Sequence, residues 1–233
     1  MIKTGAVAVI PARGGSKRIP RKNIKEFCGM PLIAYSIRAA QESGCFDDVI
    51  VSTDDQEIAD IAIQYGASVP YLRSKDLSDD YSTTMDVISH AAKQLDDHVQ
   101  FVCCIYATAP LLLSEDLRLA YESLLSSIDI DYVFSVTDFA FPIQRALKLG
   151  ENDQVSMFDA QYISTRSQDL IEAFHDAGQF YWGTREAWVQ KKNVLDGSTK
   201  GFRLPRYRVQ DIDTMDDWIM AELLYKSLVS HDK

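Results

Sequence analysis

The chain has 233 residues, 46% of them hydrophobic and 25% charged, and its 24 Lys plus Arg against 34 Asp plus Glu leave a formal charge of −10. That length suits one soluble domain, or one with a small appendage, and the apolar fraction excludes a disordered chain. No apolar run nears the ~18 residues of a membrane span, the stretch after Met1-Ile2-Lys3-Thr4 is too short for a signal peptide, and an acidic balance argues against a nucleic-acid surface; a cytoplasmic protein is expected.

Ala6-Val7-Ala8-Val9-Ile10 is continuously apolar, as a parallel strand buried on both faces should be. It runs into a Gly14-Gly15 loop, after which Pro31 to Ala40 reads as a helix with Pro in its first turn, closed by Gly44. Asp48 to Ser52 is a second strand and Gln56 to Tyr65 a second helix, with Ile58, Ala59, Ile61, Ala62 and Tyr65 on one face and Gly66 as its stop. Ala67 to Leu72 predicts a third strand, Thr84 to Leu95 a helix, and Val99 to Ile105 a long buried strand. Ser114 is placed to cap a further helix with Glu115 and Asp116 in its first turn, and Tyr132 to Val136 is a strand. This alternation predicts an α/β fold with a mostly parallel central sheet, helices on both faces, right-handed crossovers and a site at the carboxyl ends of the strands.

Residues 138–178 are polar, break the rhythm, and read as an excursion from the sheet within a single 1–233 domain. Beyond them come a strand through Gln179-Phe180-Tyr181-Trp182-Gly183, a helix from Arg185 to Gln190, an extended Arg203 to Val209, and a closing helix from Met215 to Ser230 capped by Thr214 with Asp217. Cys28, Cys45, Cys103 and Cys104 lack Cys-x-x-Cys spacing, and neighbours in a strand face opposite ways, so neither a zinc site nor a disulfide framework follows.

The net charge conceals an asymmetry. Residues 1–25 contain seven bases (Lys3, Arg13, Lys17, Arg18, Arg21, Lys22, Lys25) and no acid, so the other 208 residues carry 17 bases against 34 acids. A basic segment on an acidic body is either a basic tail or the seat of a small polyanion. Its position decides for the second, because Pro11-Ala12-Arg13-Gly14-Gly15-Ser16-Lys17-Arg18-Ile19-Pro20-Arg21-Lys22-Asn23-Ile24 follows the first strand, where open α/β sheets bind ligands. Paired glycines let backbone N–H groups approach phosphate closely, and Arg13 and Lys17 supply charge. Neither the P-loop spacing nor the dinucleotide G-x-G-x-x-G is present. Five bases in ten residues, Arg13, Lys17, Arg18, Arg21 and Lys22, suit a triphosphate.

The run from Val9 to Ile24 closely resembles the signature loop of the acylneuraminate cytidylyltransferases. The resemblance continues through Val51-Ser52-Thr53-Asp54, Arg73 with Leu77-Ser78-Asp79, Thr108-Ala109-Pro110-Leu111 and Asp211-Ile212-Asp213, nearly the whole chain in order. It implies a Rossmann-like nucleotidyltransferase fold, a homodimer with 138–178 as the dimerisation lobe, and transfer of CMP from CTP to the C2 hydroxyl of an acidic nine-carbon 2-keto sugar, with release of pyrophosphate. By the same resemblance Arg13, Lys17 and Lys22 are the catalytic cations, and Ala12, Gly14, Gly15, Ser16, Asn23, Arg73 and Thr84 bind the nucleotide.

Asp211 and Asp213 stand two apart before a helix and can share one divalent cation, but spacing alone does not separate a metal pair from a solvated pair leading into the Thr214 cap. Asp129-Ile130-Asp131 repeats the pattern at what should be the opposite edge of the sheet. The family match makes Asp211 and Asp213 the ligands of Mg²⁺, with Mn²⁺ the alternative. For the sugar, Tyr106, Thr108, Arg166, His175, Gln179 and Tyr181 are the candidates. Tyr106-Ala107-Thr108-Ala109-Pro110 and the run from His175 to Trp182 depart from the sialic acid pattern and look like the pseudaminic acid branch, with CMP-legionaminic or CMP-sialic acid synthesis as alternatives. From another class, a non-catalytic nucleotide-binding module would use the same loop. His175 beside Asp176 reads equally as a hydrogen-bonded structural histidine, and of Tyr181 and Trp182 at most one can line a pocket.

Overall fold

The computed structural model describes residues 4–79 and 81–231; Lys3, one of the seven amino-terminal bases, lies outside them. The first strand, β1 (Ala6–Ala12), leads through the basic loop into a two-residue hairpin, β2 (Glu26–Phe27) and β3 (Met30–Pro31), and then α1 (Leu32–Ser43). β4 (Asp48–Thr53), α2 (Gln56–Gln64), α3 (Thr84–Lys93), β5 (Phe101–Ile105), α4 (Ser114–Leu125) and β6 (Tyr132–Asp138) follow. The chain then makes the small hairpin β7 (Leu147–Leu149) and β8 (Val155–Met157), and returns as β9 (Phe174–Thr184), α5 (Arg185–Gln190), β10 (Thr199–Arg203) and α6 (Met215–His231).

Six strands form one sheet in the order β10-β6-β9-β5-β1-β4. β1 runs parallel to β4 and β5, and β6 to β10, whereas β9 is antiparallel to both its neighbours. The period of two in a pleated strand sorts β1 between two cores. Ala6, Ala8 and Ile10 pack with α1, α2 and α4, while Val7 and Val9 pack with α3 and α5. Cys103 and Cys104 divide the same way, as do Trp182 and Tyr181.

Local chemistry explains the ends. Pro31 occupies the N-cap of α1 and Gly44 closes it with φ 66°, where a side chain would be strained. Asp55 caps α2 by accepting from the Ile58 N–H at 3.1 Å. Thr214 and Asp217 cap α6 reciprocally: the Asp217 N–H donates to the Thr214 hydroxyl at 3.3 Å, and the Thr214 N–H to the Asp217 carboxylate at 2.7 Å.

Four expectations change. Ala67 to Leu72 is not a full strand, because Pro70 lacks the N–H a ladder requires; only the bridges Ile50 to Ser68 and Thr53 to Leu72 survive. Ser114 is the first helical residue of α4, and Asp116 serves that end instead, accepting from the Leu113 N–H at 3.2 Å. The extended segment near residue 203 begins earlier, as β10, and after Pro205 the chain turns through Arg206–Arg208. The excursion is narrower than 138–178, because Asp138 ends β6 and Phe174, His175 and Asp176 pair with Asp138, Thr137 and Val136.

A third, smaller core governs the site. Ile19 of the basic loop and Ile212 of the aspartate segment, 1% and 0% exposed, meet there with Phe27, Leu32, Tyr35 and Trp218. Phe27 contacts Tyr35, Trp218 and Tyr225 edge-on, with ring centroids 5.5, 5.3 and 5.7 Å away. Two segments nearly two hundred residues apart in sequence are therefore fastened to one apolar anchor.

Candidate active site

A cleft of about 360 Å³ opens at the carboxyl edge of β1 and β5. Its floor is the end of β1, Pro11 and Ala12, and the turn after β5, Tyr106 to Thr108. Arg13, Ser16, Lys17, Arg18, Lys22 and Asn23 form one wall, Arg73 and Thr84 stand opposite, and Asp213 closes the end. The Gly14 N–H is spent on Asp54 Oδ1 at 3.1 Å, and neither Gly14 nor Gly15 lines the cleft, contrary to their expected contact with the nucleotide. Asn23, 6% exposed, spans the loop and donates from Nδ2 to the Arg13 carbonyl at 3.1 Å.

Arg73 is buried because its guanidinium is consumed by the framework. It donates to the Ser52 carbonyl at 2.9 Å and to the Ser78 hydroxyl at 3.1 Å. Burial pushes its pKa down from the ordinary value and Asp54 opposes this, which leaves an arginine charged in any case. Arg13 reaches the Asp79 carbonyl at 3.5 Å across the mouth.

The buried Ile212 side chain leaves Asp211 and Asp213 on the outward side of their segment. Lys22 donates to the Ile212 carbonyl and to Asp213 Oδ1, the latter at 3.2 Å, and Arg18 pairs with Asp213 Oδ2 at 2.8 Å. Asp211 is exposed as a residue, yet the protein crowded beside its carboxyl, together with the charge of Asp213, holds its pKa above the usual carboxylate range. Asp213 already holds Lys22 and Arg18 on its two oxygens, so a divalent cation shared with Asp211 would have to displace one of those cations. Among the described residues no cluster of three or more His, Cys, Asp or Glu could complete a cage, so water and phosphate oxygens would have to supply the remaining ligands. Asp131 marks the amino end of β6, at the opposite edge, and binds Lys192 at 2.9 Å.

A second cavity of about 630 Å³ lies beyond Tyr106, lined by Met85, Phe134, Val136, His175, Asp176 and Tyr181. The cavity runs along the sheet face, from His175 and Asp176 at the amino end of the antiparallel β9, beside the carboxyl ends of its neighbours, past Phe134 and Val136 to Lys192 and Val194. The Tyr106 and Tyr181 rings stand 5.6 Å apart between the two cavities, and the Tyr181 hydroxyl donates to Asp176. Burial, then Tyr106 and Asp176, drives the Tyr181 pKa far up, so it remains a neutral donor. His175 Nδ1 lies 2.8 Å from the Asp176 carbonyl.

Two sugar candidates do not reach either cavity. Arg166 lies on the excursion and forms a fork with Asp169, at 2.7 and 3.2 Å. Gln179 is buried, and its amide donates to the Arg208 carbonyl at 2.5 Å, so it buttresses the segment leading to Asp211. Arg21 likewise leaves the cleft and pairs with Asp55, which reduces the bases facing it. Asp176 is not among the expected contacts, and its place beside His175 in sequence does not specify direction; Arg18, expected at the triphosphate with the other loop bases, pairs with Asp213.

A basic wall ending on Asp213, at the carboxyl edge of a Rossmann-like sheet, is the arrangement of a nucleotidyltransferase. Residues 7–182 match the Cytidylyltransferase family model, and the chain belongs to that family. The pseudaminic acid cytidylyltransferase of Campylobacter jejuni subsp. jejuni is 49% identical over 97% of each chain. The CMP-N,N′-diacetyllegionaminic acid synthase of Legionella pneumophila is 34% identical over 94% of this chain and 95% of its own. Among solved structures, a CMP:2-keto-3-deoxy-manno-octonic acid synthetase complexed with CTP shares the fold, with a TM-score of 0.71 at 15% identity, covering 98% of this chain and 99% of that one.

Proposed function

We propose that this enzyme transfers CMP from CTP to the C2 hydroxyl of pseudaminic acid and releases pyrophosphate. The observation that carries this reading is the basic wall of Arg13, Lys17 and Lys22 with Asp213 held against Lys22 at its end, in a chain that aligns over 97% of its length with the Campylobacter relative. The triphosphate occupies the first cleft; the sugar enters the second cavity, past Tyr106 and Thr108 and towards His175 and Tyr181. Its hydroxyl attacks the α-phosphorus in line and loses its proton to solvent, the bond from phosphorus to the α,β-bridging oxygen breaks, and pyrophosphate departs. Arg13 and Lys17 offset charge gathering on the leaving group and Lys22 that on the α-phosphate, so catalysis is positioning and electrostatics without a covalent intermediate. Mg²⁺, or Mn²⁺, held by Asp211 and Asp213 would supply Lewis-acid neutralisation of the phosphates and acidify the attacking hydroxyl.

The homodimer belongs to this reading and is supported by the apolar surface of the 139–173 lobe, where Phe141 and Ile171 are 82% and 84% exposed. A cytoplasmic site of action is supported by four free cysteines and by the lack, among the described residues, of a helix long and apolar enough to cross a membrane. Incubation with CTP, Mg²⁺ and each of pseudaminic, legionaminic and sialic acids, scored by pyrophosphate release, is expected to give turnover with pseudaminic acid above the others. Preference for another sugar would reassign the substrate, and no release with any would leave only a nucleotide-binding module.

A further inference from the structure

Arg21 lies within the basic loop but does not face the cleft. Its guanidinium donates to both Asp55 oxygens, at 2.5 and 2.9 Å, and to Glu57 at 2.5 Å. The backbone there is left-handed, φ 56° and ψ 29°, which is uncommon for a residue with a side chain. Asp55 is itself pinned, since the oxygen that accepts from Arg21 Nη2 also caps α2 through the Ile58 N–H.

The other stem of the loop meets the same place. The Gly14 N–H donates to Asp54, and a β-carbon on Gly14 would stand 2.5 Å from Asp55 Oδ2, so only glycine allows this approach. Gly14 before the loop and Arg21 after it are therefore both seated on one dipeptide at the junction of β4 and α2. Lys17 and Arg18 lie between the stems, and Lys22, which reaches Asp213, directly follows Arg21.

We propose that Arg21 and Asp55 are a positioning clamp for the phosphate loop, setting Lys17 and Lys22 over the cleft without touching the nucleotide. The proposal rests on the loop being the triphosphate site. A bidentate fork fixes orientation as well as distance, which a single lysine contact does not. Asp55 stays ionised to serve it, because Arg21 holds its pKa below the usual carboxylate range.

The test is a double-mutant cycle of Arg21→Ala and Asp55→Asn, with kcat, KM for CTP, KM for the sugar and Tm measured for each. Asparagine keeps an oxygen to cap α2 and removes the charge. Each single variant is expected to lower kcat/KM for CTP roughly 10- to 100-fold, as misplacement of reacting groups does, with KM for the sugar little changed. The double variant should be no worse than the poorer single one. A direct phosphate ligand gives another pattern: Arg21→Ala weakens CTP use while Asp55→Asn, which releases the cation, preserves or improves it. That pattern, additive losses, or parental kcat/KM in both single variants would overturn the clamp. If Arg21→Ala does not fold, Arg21→Lys keeps the charge without the fork and should lose activity at near-parental Tm; full activity would count against the clamp. Lys17→Ala stands apart from this cycle, since unchanged CTP affinity in it would sink the triphosphate reading itself whatever Arg21 does.

Discussion

Lys17, Lys22 and Asp213 occupy the cleft wall and its end, so their substitutions test the chemistry most directly. Removing one preorganised donor to developing charge costs roughly 10²- to 10³-fold in turnover, and Lys17→Ala should fall in that range. Asp213→Asn should also raise the Mg²⁺ concentration for half-maximal rate, read from a metal titration of pyrophosphate release; a rate within about threefold of the parent would remove Asp213 from the site. Lys22 has two duties, since it neutralises Asp213 and closes on the Ile212 carbonyl, so Lys22→Ala should cost stability as well as rate. What each side chain contacts was only partly legible in sequence. The density of cations showed a phosphate site, but a charge count cannot see that Arg21 has its partner in Asp55, 34 residues on, or that Gln179 spends its amide on the Arg208 backbone.

The segment carrying the aspartates is held by two devices. Ile212 plugs the third core, and Arg208 forms a buried fork with Asp116 at the start of α4, at 2.5 and 3.0 Å. Truncating a fully buried isoleucine costs about 2 to 5 kcal/mol, and Ile212→Ala should lower the denaturant midpoint accordingly while disabling catalysis through misplaced aspartates. A variant that loses activity with no change in midpoint would mean that Ile212 does not anchor the segment. Elements such as β1, α1 and β5 were legible because their apolar runs and caps are local. The amino half of β9 was not, because Phe174-His175-Asp176 has no strand-like alternation and is ordered by pairing with β6. Pro70 shows the reverse error: the residues around it suit a strand, and one missing N–H prevents it.

Across the molecule, the charge of −10 resolves into a basic cleft wall and an acidic remainder whose carboxylates are unequally placed. Lys191, then Thr83, hold Asp86 down to about 2, and Arg21 and Thr214 hold Asp55 and Asp217 below the usual range. These folded values lie below the unfolded ones, so the unfolded chain binds more protons in acid. Their stabilisation is complete above the unfolded value near 4 and is lost as pH falls towards about 2. Because Asp86 and Lys191 are partly exposed, the effect of that pair is small and salt-sensitive. Tm should therefore decline between about pH 4 and 2, less steeply in Asp86→Asn. The 139–173 lobe exposes Phe141, Leu149, Phe158, Ile163 and Ile171 on short hairpin and turn elements that have little core of their own. Monomers seldom expose large apolar patches, and the proposed dimer would cover these side chains with a second copy of the lobe. Sedimentation at micromolar concentration should give a dimer for the parent and a monomer for Phe141→Asp with Ile171→Asp, at unchanged far-ultraviolet circular dichroism. A parental monomer would refute the assembly, and a persistent dimer in the double variant would move the interface elsewhere.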